Sequence, residues 1–177
     1  MTPALSPADL VLVPGGVRFH GRRLPATIGR GGLVRRKREG DGGTPVGVHR
    51  IAGLLYRPDR IAAESLPPWA EPILPGDLWC DAPDHPHYNL PVRAPFAASH
   101  ENLRRADPMY DLVLVVDWNF PHAKAGRGSA IFIHAWRRPG APTAGCIALA
   151  PTDLRWIAGR VSPGTRVIIP ALAGRLA

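Results

Sequence analysis

Proline and glycine are spread so densely along this chain that long helices are excluded. Its 177 residues include 21 prolines and 19 glycines. Proline removes a backbone donor and clashes inside a helix, and both residue types mark turns. Hydrophobic residues still make up 45% of the chain, which is enough for one buried core. We therefore predict a mainly β fold with short strands and many turns, in a single domain that spans residues 1–177.

Short apolar runs between turn signals predict where the strands lie in the first half. Residues 10 to 34 alternate in short stretches broken by glycines, which indicates a β-meander. Val46 to Leu55 is predicted to be a further strand. We expect Tyr56 to Pro95 to be a long excursion with one short strand, and Ser99 to Ala106 to form one or two helical turns.

The second half contains the predicted centre of the sheet. Asp111 to Asp117 is a continuous apolar run between polar residues, which is typical of a strand covered on both faces. Ala130 to Ile133 is a second buried strand that ends at His134, and Gly145 to Leu149 is a third. Because proline is tolerated at the first helical position, Pro151 is expected to open a helix that continues to about Ala158.

The net charge restricts the classes of partner. A charge of +8 suits nucleic acid, an acidic membrane surface or a small substrate with several carboxylates. The basic residues are scattered apart from Arg35 to Arg38, which is typical of a solvated loop, and no aromatic residues are interleaved with them. We therefore expect no nucleic-acid partner. The alternative, a basic nucleic-acid-binding module, would bind with steep salt dependence and would not need Cys146.

The number of cysteines and the N-terminal sequence indicate the cellular compartment in which we expect this protein. Cys80 and Cys146 are too few for a disulfide framework. The first residues lack the basic and then apolar pattern of a secretory signal, and no run approaches the length of a membrane span. We expect a cytoplasmic protein, or a periplasmic one if a leader has been removed. The sequence does not indicate an oligomeric state.

One short stretch carries residues that are typical of nucleophilic catalysis. His134 ends one predicted strand, and Cys146 begins the next after a turn-rich loop. If the strands are neighbours, the imidazole can activate the thiol, with Asp117 and Asn119 as candidate partners that orient the ring. Gly145 allows a sharp turn and leaves amides open to an oxyanion. On spacing alone, a structural role is commoner, because free cysteine is often a small buried hydrophobe.

The motifs around these residues resemble the L,D-transpeptidase catalytic domain family, also called YkuD-like. The family's hallmark is a histidine, a spacer and Ser/Thr-x-Gly-Cys, which Thr143-Ala144-Gly145-Cys146 matches after His134. Lys37 to Gly47 is similar to the family's Gly-rich Thr-Pro-x-Gly loop. Trp79 to Asn89 and Tyr110 to Asn119 contain segments similar to its small, signal-less branch. The resemblance implies a β-sandwich of mixed sheets with one or two short helices.

The resemblance also implies a cofactor-free enzyme that needs no metal. Cys146 is the nucleophile that attacks the carbonyl between the diamino acid and the terminal D-alanine of a peptidoglycan stem tetrapeptide, which forms a thioester. His134 is the base and then protonates the departing amine. Gly145 and the amide of Cys146 contribute to the oxyanion site, which Thr143 shapes. An amine acceptor then makes the protein an L,D-transpeptidase, whereas water makes it a cytoplasmic L,D-carboxypeptidase of muropeptides, and both outcomes stay open.

This chain departs from the family close to the cysteine. The better-known members have histidine in place of Ala144, a somewhat longer spacer, and an arginine two residues after the cysteine, where this chain has Ala148. Ala144 and Trp136 are expected to line the substrate cleft. Another arginine must bind the substrate carboxylate. The candidates are Arg137, Arg138, Arg127 and Arg30.

A metal site is an alternative role for a second group of residues. Thiolate, carboxylate and imidazole are all zinc ligands, and the group is Cys80, Asp81, Asp84, His85 and His87. The usual paired-cysteine spacing is absent, and the proline between the two histidines keeps both rings from turning to one ion. We therefore expect a structural loop and no metal.

Overall fold

The computed structural model describes residues 4–171, and strands dominate it, which confirms the predicted mainly β fold. Two short 3-10 turns, Ala63–Ser65 and Pro108–Tyr110, accompany the strands and the single α-helix of this part of the chain. The elements are, in chain order, β1 (Leu10–Val13), β2 (Gly16–Phe19), β3 (Arg22–Thr27), β4 (Leu33–Val34), β5 (Thr44–Pro45), β6 (Gly47–Tyr56), β7 (Glu71–Pro72), β8 (Asp77–Cys80), β9 (Pro91–Arg93), β10 (His100–Asn102), β11 (Leu112–Val116), β12 (Phe132–Ala135), β13 (Ile147–Leu149), α1 (Pro151–Ala158) and β14 (Arg166–Ile169).

The largest sheet closes on itself like a barrel. Its strand order is β11-β12-β13-β3-β2-β1-β14-β6-β7, and β6 also pairs with β11, which completes the ring. The sheet is mixed, because β12 runs parallel to β13 and β1 runs parallel to β14, whereas β11 and β12 are antiparallel. This closed mixed sheet is compatible with the predicted β-sandwich, and closure removes most free strand edges.

Strand β11 is buried on both faces, as its continuous apolar run predicts. Leu112, Leu114 and Val116 point into the core of the closed sheet. Val113 and Val115 point to the opposite side, into a second apolar cluster. Since side chains alternate along a strand, this single segment separates two cores.

A small second layer covers the outer face of β11 and β12. It is the three-stranded sheet β10-β8-β9. Trp79 of β8 packs edge-on against Phe132 of β12, with the ring centroids 5.0 Å apart. Tyr110 packs against the same phenyl ring at 5.9 Å. The second layer therefore packs directly against the outer face of the main sheet.

The helix was predicted correctly, but two other segments were not. Helix α1 begins at Pro151 and ends at Ala158, with the proline in its first turn. The segment from Tyr56 to Pro95 contains the three strands β7, β8 and β9 instead of one. Between Ser99 and Ala106 the chain forms strand β10, because its backbone pairs with β8, and not helical turns. Pairing with a distant strand overrides weak local preference.

We expect Leu114→Ala to lower the free energy of unfolding by about 2–5 kcal/mol, because it opens a cavity at a fully buried position of β11. The matched control is Val48→Ala at an exposed position of β6, which should change that free energy by less than about 0.5 kcal/mol. Urea denaturation of both variants measures the difference. Equal losses would contradict the assignment of β11 to the core.

Candidate active site

His134 and Cys146 lie on neighbouring parallel strands and face the same side of the sheet. In the register of β12 and β13, His134 is opposite Ala148. Cys146 directly precedes β13 and is therefore level with Phe132. Residues two apart on a strand share a face, and Phe132 and Cys146 both belong to the second apolar cluster. The thiol and the imidazole therefore both point away from the barrel core and towards the second layer.

The main chain just before β12 holds the thiol. Cys146 is 8% exposed. Its Sγ donates a hydrogen bond to the carbonyl of Ala130 at 3.2 Å and accepts one from the amide of Phe132 at 3.4 Å. Burial raises the pKa of Cys146 to about 12, although the Phe132 amide acts in the opposite direction. The thiol is therefore protonated at neutral pH.

The imidazole is oriented by a backbone carbonyl. His134 is 2% exposed, and its Nδ1 lies 2.8 Å from the carbonyl oxygen of Ala135. Because a carbonyl can only accept, Nδ1 carries the proton and Nε2 keeps a free lone pair. Burial lowers the pKa of His134 to about 4. Tyr110 packs edge-on against the ring at 5.2 Å. The result is a neutral, restrained imidazole that can accept a proton.

The two candidate polar partners of the imidazole are engaged elsewhere. Asp117 accepts a hydrogen bond from the amide of Arg50 at 2.8 Å. Asn119 donates to the carbonyls of Lys124 and Gly128. In the described part of the chain, neither side chain bonds to His134, and the carbonyl of Ala135 is the group that orients the ring.

Three loops meet at the residue before the thiol. The carbonyl of Gly145 accepts a hydrogen bond from Thr44 Oγ1 at 2.8 Å, and the same hydroxyl accepts one from the amide of Gly29 at 2.9 Å. A Cβ atom on Gly29 would lie 2.1 Å from the carbonyl oxygen of Gly42, and one on Gly145, whose φ is +142°, would lie 2.9 Å from that of Gly43. Only glycine permits this approach.

Thr143 closes the turn that carries the thiol. Its Oγ1 donates to the carbonyl of Cys146 at 2.7 Å and accepts from the amide of Gly145 at 3.1 Å. The amide of Gly145 is therefore occupied. The amide of Cys146 has no hydrogen-bond partner among residues 4–171, so it is the free donor next to the nucleophile.

A cleft of about 540 Å³ lies over the thiol and the imidazole. Thr143, Ala144, Gly145, Trp136 and Arg137 line it together with the thiol and the imidazole. Charged groups of both signs line it. They are Arg30, Lys37, Arg105, Arg137, Arg138, Glu39, Asp81 and Glu101.

Three of the four candidate arginines line the cleft. Arg30, Arg137 and Arg138 make no ion pair and no side-chain hydrogen bond within the described residues. Arg127 is not in the cleft wall, and its guanidinium stacks on Trp118 at 5.1 Å. The three free guanidinium groups at the cleft are available to a carboxylate.

A buried asparagine ties the second layer to the segment that holds the thiol. Oδ1 of Asn89 accepts hydrogen bonds from the amide of Ala130 at 2.8 Å and from Nε1 of Trp79 at 2.9 Å. Its Nδ2 donates to the carbonyl of Asn119 at 2.6 Å. Ala130 has a φ of +50°, which is uncommon for a residue with a side chain. Asn89 therefore helps to hold the carbonyl that accepts from the thiol.

Sequence reasoning missed several groups at this site. Lys37 was expected in a solvated loop, yet it is 7% exposed and lines the cleft, whereas its neighbours Arg36 and Arg38 are exposed. Glu101 was placed in helical turns, yet it lies on β10 and faces the same cleft. No local signal separates Lys37 from the arginines beside it.

The structure gives no support to the alternative metal site. Within residues 4–171, no group of three or more histidine, cysteine, aspartate or glutamate side chains is arranged to hold a metal ion. Cys80 is fully buried in β8. No helix in the same range is long and apolar enough to cross a membrane.

We expect Gly29→Ala to lower the free energy of unfolding by about 1–3 kcal/mol, because its new Cβ would overlap the loop that supports Gly145. Gly159→Ala is the control, since a Cβ there meets only ordinary contacts. Thermal unfolding compares the two variants. A Gly29→Ala protein as stable as Gly159→Ala would show that the three loops are not tightly packed.

The low pKa of His134 predicts a dependence of stability on pH. In the unfolded chain a histidine takes up a proton near pH 6.5, but in the folded protein this ring stays neutral down to about pH 4. The unfolded state thus binds more protons in this window, and stability falls as the pH falls. Urea unfolding at several pH values should show a shallower dependence for His134→Gln. An equally steep dependence would contradict the low pKa.

Comparison with protein families identifies the family of this chain. Residues 7–169 match the family model for the L,D-transpeptidase catalytic domain, YkuD. No curated protein and no solved structure matches the chain. The match covers nearly the whole of the described chain, including the strands that carry the thiol and the imidazole. The chain therefore belongs to the L,D-transpeptidase catalytic domain family.

Proposed function

We propose that this protein is a cysteine acyl-transfer enzyme that acts on peptidoglycan stem tetrapeptides through a thioester on Cys146. Family membership indicates an enzyme of the L,D-transpeptidase kind that acts on peptidoglycan. The proposal of a thioester on Cys146 is supported by the geometry of two residues. Cys146 and His134 share one face of the β12–β13 pair and line one cleft, and Nε2 of the imidazole is free.

Acylation begins with transfer of the thiol proton. The Sγ–H of Cys146 leaves the carbonyl of Ala130 and donates to Nε2 of His134 as the sulfur attacks the substrate carbonyl. A general base is required, because a thiol with a pKa of about 12 provides almost no thiolate at neutral pH. The carbon–nitrogen bond to D-alanine then breaks, and the imidazolium returns the proton to the departing amine. The low pKa of His134 makes it a strong proton donor in this step.

The amide of Cys146 is the group best placed to stabilise the oxyanion. It has no other partner among the described residues, whereas the amide of Gly145 is bound to Thr143. The hydroxyl of Thr143 orients the turn through two hydrogen bonds, one donated to the carbonyl of Cys146 and one accepted from the amide of Gly145. A backbone donor that is already oriented costs no reorganisation when the charge develops.

Basic residues at the cleft support binding of an anionic stem peptide. Ala148 stands opposite His134 and cannot bind a carboxylate. Arg30, Arg137 and Arg138 come from two loops that the Gly29–Thr143 bridge joins. We propose that they bind the carboxylates of the donor stem, with Trp136 and Ala144 as apolar contacts at the same cleft.

The acceptor decides the product. An amine acceptor gives a new peptide bond and an L,D-transpeptidase, which is the outcome that we propose. The carboxylates Asp81 and Glu101 line the cleft together with the arginines, and negative charge attracts a cationic amine. Attack by water would give a tripeptide and an L,D-carboxypeptidase.

The decisive experiment incubates purified protein with a disaccharide tetrapeptide and analyses the products by mass spectrometry. We expect the wild type and Cys80→Ala to release D-alanine and to form dimers or amine-exchanged stems. Cys146→Ala should reduce the rate at least about a thousandfold, because it removes the nucleophile. Cys80→Ala is a matched control, since that buried thiol lies outside the cleft.

Three other outcomes would change the assignment. Tripeptide alone would make the protein an L,D-carboxypeptidase. Product from Cys146→Ala would contradict the thioester mechanism. No product from a wild-type protein with a reactive thiol would contradict the proposed substrate.

A further inference from the structure

One of the two lysines of this chain is buried. Lys37 is 7% exposed, whereas Lys124 is exposed. Lysine is almost never fully buried unless its charge is paired. Lys37 also lines the cleft that contains Cys146. Neither the proton transfer to His134 nor the binding of carboxylates by arginines requires this ammonium.

The ammonium is paired and still has one proton free. Nζ of Lys37 donates to Oδ1 of Asp41 at 2.6 Å and to the carbonyl of Arg38 at 2.8 Å. The third N–H has no partner among residues 4–171. Asp41 also accepts from the amides of Arg38 and Gly43. Burial would raise the pKa of Asp41, but these hydrogen bonds outweigh it and lower that pKa, so the pair stays ionised.

The neighbouring backbone is shaped around this lysine. A Cβ atom on Gly128 would lie only 3.0 Å from Cγ and Cε of Lys37. Oε2 of Glu39 accepts a hydrogen bond from Ser129 Oγ at 2.8 Å and another from the hydroxyl of Tyr88. The lysine segment is therefore attached to the residues just before Ala130, whose carbonyl accepts from the thiol.

Charged and titratable groups from several parts of the fold line the cleft that contains the thiol. They include His134 on β12, Tyr110 in a 3-10 turn, Glu101 on β10 and Lys37 in the loop before β5, with Glu39, Asp81 and Arg105 in the same wall. The negative charge of Glu101 raises the pKa of Cys146, and the positive charge of Lys37 lowers it. Lys37 thus favours negative charge at the sulfur, while burial, which is the largest effect, and Glu101 act in the opposite direction.

We propose that the buried ammonium of Lys37, held by Asp41, stabilises the negative charge that develops at Cys146 and at the attacked carbonyl oxygen during acyl transfer. Lys37 neither gains nor loses a proton in this step, because the thiol proton moves to His134. The role in turnover rests on the proposed function. The effect of Lys37 on the thiol does not rest on the proposed function, because it can be measured without any substrate.

The test is alkylation of Cys146 by iodoacetamide as a function of pH, in a Cys80→Ala background. Below its pKa the rate is proportional to the thiolate fraction. We expect Lys37→Met to lower the rate about tenfold at each pH, which corresponds to a rise of about one pKa unit. Lys37→Arg should retain most of the rate, and Lys124→Met should match the parent protein. Thermal unfolding confirms that each variant is folded.

Several outcomes would overturn the inference. A folded Lys37→Met protein that is alkylated at the parent rate would show that the ammonium does not act on the thiol. Equal losses in Lys37→Arg and Lys37→Met would show that shape and not charge matters. Lys37→Gln, which keeps a donor without the charge, repeats the test if the methionine variant does not fold.

A second measurement separates this inference from the proposed function. With a stem tetrapeptide, Lys37→Met should lower kcat at least fivefold and change KM less than twofold, because the charge develops only during reaction. A larger effect on KM would contradict a role in stabilising that charge. A wild-type protein that shows Lys37-dependent alkylation but turns over no tetrapeptide would overturn the proposed function and support the role of Lys37.

Discussion

The parallel pairing of β12 with β13 is the interaction on which the site depends. It places His134 opposite Ala148 and puts Cys146 on the same face. A slip of one residue would turn one of the two reactive side chains into the barrel core. Ile133 and Ile147 prevent it, because both are buried in the core on the opposite face. The apolar packing that stabilises the barrel therefore also sets the position of the thiol relative to the imidazole.

The second layer determines the electrostatics of this pair. It buries Cys146 and His134, and burial raises the thiol pKa to about 12 and lowers the imidazole pKa to about 4. Both groups are therefore neutral at neutral pH, so the proposed acyl transfer requires base-assisted attack rather than a preformed thiolate–imidazolium pair. The Phe132 amide and the charge of Lys37 lower the pKa of the thiol, but burial has the larger effect.

Much of the fold could be predicted because its signals are local. The apolar run of β11 and the proline that begins α1 need no knowledge of distant residues. The strands β8 and β10 could not be predicted in the same way. Tyr56 to Pro95 is rich in proline and Ser99 to Ala106 is mostly polar, and β8 and β10 form where these two segments pair. Local preference is weak there, and tertiary pairing decides.

By itself, the sequence determined the mainly β class, the family resemblance, and a histidine and a cysteine as candidates for catalysis, because these depend on composition and on short motifs. The tertiary structure alone decided which basic residues lie at the cleft. It buries Lys37 in the wall of the cleft that contains the thiol, brings Arg30, Arg137 and Arg138 to that cleft, and places Arg127 on Trp118. Burial and charge interactions depend on residues that are far apart in the chain, and no short sequence pattern records which of them meet.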